Sequence, residues 1–531
     1  MFAGQVKTAT EISLPPMTGG INAQAPLQAM SPAEAVYLYN IVSNERGLRV
    51  RGGGAEFCNA VTGSAKTFIP FLDVDGTEQL FACADDGIYD VSTGGAGSAS
   101  LVYSFVTPSS SAGYGTWIQY TNDAGARFIL YADSVNGLIE YDIATTTWQL
   151  PTGITGLPGG GITDVRVVLN HKQRVWLAQE GAAEAYYLPV GAKAGAATPF
   201  YFARHFAHGG DIVNLFEWTR DGGDGVDDYF IAVGRGGDIV VYRGEDPSAA
   251  TTWTQVGKWF MGRVPAGRRV AVEHGGEVYV LSVYGLFTLS SLFRGTDITE
   301  FKNHPSAKIT HLIRERMVDE VDNAGWAVIP FPAEGNLVIQ SPDRDGNVDN
   351  YLQYVFNLTT QTWGFWRDIP IVSAVEYRSQ FHYGSGTSVW RLLDGPDNVL
   401  LDDEDASEIE PVEFSVLGSF QHYDMPARWK IPSFIRCVFQ GRGPTEYNAK
   451  IVFDYQVDNL IPTGDAITGE GDVWDTGVWD TAIWGGAVSS LFKIFGSGGM
   501  GRVAAPAIRG RAYFRTRLLE IDLVFRAGNF L

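Results

Sequence analysis

The chain has 531 residues, of which 45% are apolar and 19% charged, and 60 Asp and Glu against 39 Lys and Arg give a formal net charge of −21. The length favours one large β domain with a smaller companion, or two to three ordinary domains, and the apolar content excludes a disordered chain. The charge argues against a nonspecific nucleic-acid binder, which needs a Lys/Arg surface.

Sixty-three Gly with 14 Trp, 23 Tyr and 30 Phe set Gly turns between aromatic and β-branched runs, the pattern of many short strands. Cys58, Cys83 and Cys437 lack the spacing of a disulfide framework or a zinc site and read as small residues packed in strands. The opening MFAGQVKTATEISLPP has no basic segment followed by an apolar run, so no signal peptide is expected. No window approaches 18 apolar residues, so no membrane span is expected.

In chain order, residues 1–54 read as an N-terminal arm. Within it, Ser31-Pro32-Ala33-Glu34 has the form of a capping box with Pro at the first helical position, which predicts a short helix running to about Tyr39.

A repeat then begins. FLDVDGTEQLFACADDGIYDV (71–91) and YTNDAGARFILYADSVNGLIEYDI (120–143) share a polar Gly turn and a short apolar strand. An Ala-Asp turn containing Gly87 or Gly137 follows, then an aromatic strand ending in Asp. DDYFIAVGRGGDIVVY (227–242) and GGEVYVLSVYGLFTL (275–289) follow the same grammar, with weaker copies at 170–180 and 385–393. YDIATTTW (141–148), FNLTTQTW (356–363) and the longer YRGEDPSAATTW (242–253) each leave a strand through a Thr-rich turn. Trp148, Trp363 or Trp253 then starts the next strand. Strand groups that cannot bury their own faces and recur along a chain predict a β-propeller, here over 55–400 with six or seven blades. Ile309, Leu312, Ile313 and Met317 recur at i, i+3, i+4 and i+8, which predicts an amphipathic helix within 308–322, laid against the blades.

Residues 401–410 form a dense acidic stretch before Pro411 and read as a linker. Residues 411–531 carry new alternating strands (VEFSVLGSF, FIRCVFQ, AKIVFDYQV, RTRLLEIDLVFRAG) and read as a separate β-sandwich-like domain. The expected fold class is therefore all-β: an irregular propeller with an N-terminal arm and a C-terminal sandwich.

The candidates for chemistry read mostly as structure. Residues 121–128, around Asp123 and Gly125, match the loose form of an Asp box, a hairpin turn of sialidase-type propellers, without the arginine cluster that catalysis there needs. SPDRDGNVDN (341–350) and DVDGTE (73–78) have Asp-Gly spacing that reads as hairpin turns rather than calcium loops. His205, His208 and Asp211 read as packing or interface residues. No Walker loop, GxSxG elbow or kinase signature occurs. No catalytic residue, metal or cofactor is expected.

VWDTGVWDTAIWGG (473–486) places Trp474, Trp479 and Trp484 five apart, with Asp475 and Asp480 after the first two. Stacking on bases or sugars is one reading, but the run lacks the cations a nucleic-acid platform requires. The favoured reading is a set of tight turns whose rings bury within the domain or against a neighbouring subunit, as aromatic interface anchors do.

Taken in order, the arm GGxNxxxPLxxMxPxxAxxLxN with its following Gly-hydrophobic-Arg strand, the VFNLTTQTWGFW closure, and the tryptophan run with GMGRVAAPAIRGRAYFRTRLLEIDLVF resemble the tail hub or nozzle proteins of short-tailed bacteriophages. These are also called packaged-DNA stabilisation proteins or tail accessory factors. The resemblance implies a virion protein made in the host cytoplasm, six copies of which form a ring below the portal and its adaptor. Such a ring continues the DNA channel, holds packaged DNA, conducts it at ejection without sequence-specific binding, and carries or contacts a fibre or spike. It implies no catalytic site. The alternative readings are a propeller adhesin for a host receptor or glycan, and a propeller glycosidase.

Overall fold

A computed structural model describes residues 9–221, 226–295, 304–342, 351–401, 409–426, 428–442, 445–457, 466–467 and 489–530. Among these, six small antiparallel sheets and four antiparallel strands of a larger sheet are arranged as blades. Blade 1 spans Thr67–Leu72 to Ser100–Ser104, blade 2 Gly115–Thr121 to Thr147–Gln149, and blade 3 Val165–His171 to Thr198–Tyr201. Blade 4 spans Ile212–Asp221 to Trp253–Phe260, blade 5 Ala271–His274 to Gly285–Thr288, blade 6 Ala327–Phe331 to Thr362–Arg367, and blade 7 Ser373–Tyr377 to Ser388–Leu393. The first strand of each blade packs on the first strand of the next, and the seventh returns to Thr67–Leu72. The propeller therefore has seven blades around a central channel.

The repeat grammar maps onto this ring. Asp142, Asp246 and Asn357 each accept a backbone N–H two residues on, from Ala144 (3.0 Å), Ser248 (3.1 Å) and Thr359 (3.1 Å). That Asx bond bends the chain out of one strand, and Thr146 and Gln361 complete two of the turns at φ 54° and 55°. The tryptophan that follows packs on the aromatic residue across the hairpin: Trp148 on Tyr141 (5.1 Å), Trp253 on Tyr242 (5.3 Å) and Trp363 on Phe356 (4.8 Å). In the Ala-Asp turn of blade 2 the buried Asp133 carboxylate accepts from the Gly113, Val135 and Asn136 amides and the Tyr131 hydroxyl (2.7–3.0 Å). Gly137 ends that turn at φ 80°, where a Cβ would run into the Ile162 carbonyl.

Blade 5 has three strands, and the predicted helix, observed as Thr310–Glu320, packs on the third of them. Ile313 and Met317 are its buried apolar side chains, with Ile309 just before it. The other six blades have four strands, and the fourth of blade 7 is Gly53–Cys58, paired antiparallel with Ser388–Leu393.

The N-terminal region differs from its prediction. Only half of the capping box forms: the Ser31 amide donates to Glu34 Oε2 (3.0 Å), but Ser31 Oγ accepts from the Ala33 amide (3.4 Å) while the Glu34 amide donates to the Ser31 carbonyl (2.9 Å), and no helix follows. Glu34 also binds Lys308 (2.9 Å) and the Asn22 side-chain amide (3.0 Å). The next residues, Ala35–Tyr39, are a strand. Their β-branched and aromatic side chains suit a pleated surface, and Tyr37 and Tyr39 stack at 5.0 Å on one face of it.

That strand also joins the two bodies. It pairs parallel with blade 6 through Tyr39 and Phe365, and antiparallel with Val412–Gly418. One nine-stranded sheet thus runs from blade 6 into the sandwich and on through Ala504–Ala512 and Thr445–Phe453. The facing sheet contains Ile41–Asn44, Gly47–Val50, Arg517–Phe530, Arg428–Gly441 and Ser489–Gly496, with Ala9–Leu14 also paired to Arg517–Phe530. Between the sheets lie Phe414, Phe439 and Tyr447, whose hydroxyl donates to the Cys437 carbonyl (2.9 Å). Residues 9–50 are therefore sandwich strands and their connections, and the linker read at 401–410 falls largely outside the described residues.

His382 of blade 7 packs edge-on against Phe57 of the closing strand (4.8 Å) and against Tyr377 (5.6 Å). Burial pushes its pKa down from 6.5 to about 4, with Arg391 and Arg378 acting in the same direction. The unfolded chain therefore takes up this proton at higher pH than the folded one. The group's contribution is complete above about pH 6.5 and is lost as pH falls toward 4, by about 3 kcal/mol at the limit. Melting curves of wild type and His382→Phe between pH 7 and pH 4 check this, with the variant expected to show the flatter dependence.

Candidate functional site

Three places combine unusual exposure or charge with access from solvent. The first is the propeller channel. Phe68, Trp117, Val272, Val328 and Pro330 line a cavity of about 500 Å³, with Arg269 also on its wall. The Arg269 guanidinium donates to the Lys66 carbonyl (2.7 Å), and burial lowers its pKa below the ordinary arginine value. Farther along the inner strands, Glu217 is held by His171 Nδ1 (2.8 Å). Burial, then the Glu217 and Asp228 carboxylates, raises the Glu273 pKa above the usual carboxylate range. Sequence reasoning missed this pair because no local motif links residues on neighbouring blades.

The sequence candidates for metal binding are dispersed. His205 bonds the Tyr242 hydroxyl (2.7 Å), His208 the Asp238 carboxylate (2.9 Å), and Asp211 forms a two-point pair with Arg235 (2.6 and 3.0 Å). In DVDGTE, Asp73 pairs with Arg127, and Asp75 accepts from the Thr77 amide (2.8 Å), which makes the segment a hairpin turn. Residues 343–350 of the second such segment lie outside the described residues. In the Asp-box stretch Gly125 takes φ 80° as expected, but Asn122 rather than Asp123 holds the turn, its Oδ1 accepting from the Ala126 amide (2.8 Å). No group of three or more His, Cys, Asp or Glu among the described residues is arranged to hold a metal ion. No helix among them is long and apolar enough to cross a membrane. All three cysteines are buried and free, and burial pushes the Cys58 thiol up to about 12.

The second place is the sandwich strand Ser489–Gly496. One edge pairs with Arg428–Gly441, and no strand among the described residues pairs with the other. Successive side chains alternate between faces. Phe495 points inward to Tyr447 (5.4 Å), whereas Phe492 and Ile494 stand 60% and 55% exposed. Across the sheet they lie beside Val438 and Arg436, and Arg436 is neutralised by Asp522 (2.7 Å). An unpaired edge with exposed apolar side chains invites pairing and is normally blunted or covered. The strand follows the tryptophan run in sequence. Trp474, Trp479, Trp484, Asp475 and Asp480 themselves lie outside the described residues.

The third place is a group of arginines on the sandwich, beside Asp394 just after blade 7 and Glu334 in a hairpin of blade 6.

No family model and no curated protein matches the chain. Similar solved structures include Raptor from Chaetomium thermophilum, 14% identical, with 65% of this chain and 29% of that one covered and a TM-score of 0.37. Another is the extracellular domain of a one-component system from B. thetaiotaomicron, 9% identical, with 81% and 57% covered and a TM-score of 0.38. The chain thus spans less than two thirds of either, and the fold assignment rests on its own topology.

Proposed function

We propose that the chain is a structural subunit of the tail nozzle of a short-tailed bacteriophage, closing with copies of itself into a six-fold ring that retains packaged DNA and conducts it at ejection. The observation that carries this reading is the exposed apolar edge at Ser489–Gly496, adjoining in sequence the tryptophan run that the resemblance includes. A head-to-tail contact made by such an edge generates a ring when its rotation closes. The net charge of −21 fits a conduit that repels a polyanion instead of trapping it. The single sheet shared by propeller and sandwich suits a part under mechanical load.

Native mass at tens of micromolar protein tests this, with six times the 57.8 kDa chain mass expected. Phe492→Lys is expected to shift that mass to the single chain while leaving the secondary structure by circular dichroism unchanged, because the side chain lies on the outer face. A wild-type chain that stays single, or a ring that survives Phe492→Lys, counts against the edge as the assembly contact.

A further inference from the structure

The arginine group is unusual in a chain with 60 acidic residues and 39 basic ones. Arg46, Arg49, Arg442, Arg515 and Arg517 line one cavity of about 450 Å³, together with Asp394, Gln440 and Gly441. Three separate chain segments supply them. Arg46 and Arg49 come from the hairpin joining Ile41–Asn44 to Gly47–Val50, Arg442 follows Arg428–Gly441, and Arg515 and Arg517 lead into the last strand.

Arg49 and Arg517 stand directly opposite each other in the antiparallel pairing, and Gln440 lies opposite Arg517 on its other side. Like charges facing across a ladder destabilise it. The acidic groups nearby are already engaged. Glu334 binds both Arg49 and Arg515 (2.6 Å to the latter), and Asp394 accepts from the Arg515 amide (2.7 Å). Arg46, Arg442 and Arg517 have no carboxylate partner among the described residues. The Nε groups of Arg515 and Arg517 are buried with no acceptor. Burial, then the Arg49 and Arg46 charges, lowers the Arg517 pKa below its ordinary value.

A buried donor without an acceptor calls for an explanation, and an ion in the site is one. The cavity has room for on the order of ten waters, enough for a small anion and its hydration. A carboxylate offers two oxygens and is matched by one guanidinium. Here the unpartnered guanidiniums of Arg46, Arg442 and Arg517 and the buried Nε of Arg515 line one cavity, which calls for the greater charge and the additional oxygens of a phosphate.

We propose that this pocket is an anion site that takes a phosphate group, either free phosphate or a phosphodiester of a nucleic acid strand. The inference is independent of ring formation, since every residue involved belongs to one chain.

The test is the melting temperature of the full chain at fixed ionic strength while orthophosphate replaces chloride. The expected result is a saturating rise for wild type. In Arg517→Gln the unliganded protein is expected to melt at an equal or higher temperature, because the repulsion from Arg49 is relieved. The phosphate needed for half the rise should increase about tenfold to a hundredfold, the loss expected for one charged hydrogen-bonding partner. Arg46→Gln, at an exposed hairpin tip, tests the same point without touching the fold. A fluorescent ten-nucleotide single strand distinguishes the sources: binding lost in both variants identifies a phosphodiester, and a response to orthophosphate alone identifies free phosphate. Three results overturn the proposal: phosphate acting no differently from chloride, both variants keeping the full response, or an oligoglutamate peptide binding where phosphate does not.

Discussion

Asp397→Ala is expected to lower the stability of the chain by about 3–5 kcal/mol, the cost of leaving a buried charge without its partner. Arg51 is 4% exposed and forms a two-point pair with Asp397 at 2.7 and 2.6 Å. Asp397 Oδ1 also accepts from the Gly54 amide (2.7 Å), so the carboxylate grips the start of the strand that completes blade 7. The Arg51 Nε donates to Asn40 Oδ1 (3.1 Å), and Asn40 Nδ2 in turn donates to the Glu413 carbonyl of the sandwich (2.9 Å). One cluster therefore fastens the ring closure and the junction between the two bodies. Chemical denaturation with circular dichroism measures the loss, and a change below about 1 kcal/mol, the range of an exposed ion pair, would contradict it.

Removing the chain through Cys58 is expected to abolish folding altogether. The deletion takes away the closing strand of blade 7, the strand that connects blade 6 to the sandwich, and three strands of the facing sheet. It leaves unpaired edges on Ser388–Leu393, Thr362–Arg367, Val412–Gly418 and Arg517–Phe530, and such edges aggregate. The expected outcome is insoluble protein on expression. Recovery of a soluble chain with native-like ellipticity would contradict this and make the N-terminal segment a peripheral arm.

What the sequence made legible was local. The Asx turns ending in Trp148, Trp253 and Trp363 repeat a short pattern, and helix Thr310–Glu320 shows its buried face through Ile309, Ile313 and Met317. The misreading at Ser31–Tyr39 was also local: a capping box is a turn motif, and the strand preference of Val36, Tyr37 and Tyr39 outweighed it. The illegible parts depend on distant segments meeting. Arg51 and Asp397 are 346 residues apart, Cys58 pairs with Val389, and Arg49 faces Arg517. No periodicity records such pairings. The alternation of Phe492 and Ile494 with Lys493 and Phe495 is visible in sequence, but which face the fold covers is not.

The proposal of a ring-forming conduit is tested most directly by electron microscopy of the purified chain viewed end-on. The account predicts closed rings of one size with six-fold symmetry and an open centre. Single subunits at every concentration, or open filaments, would contradict it.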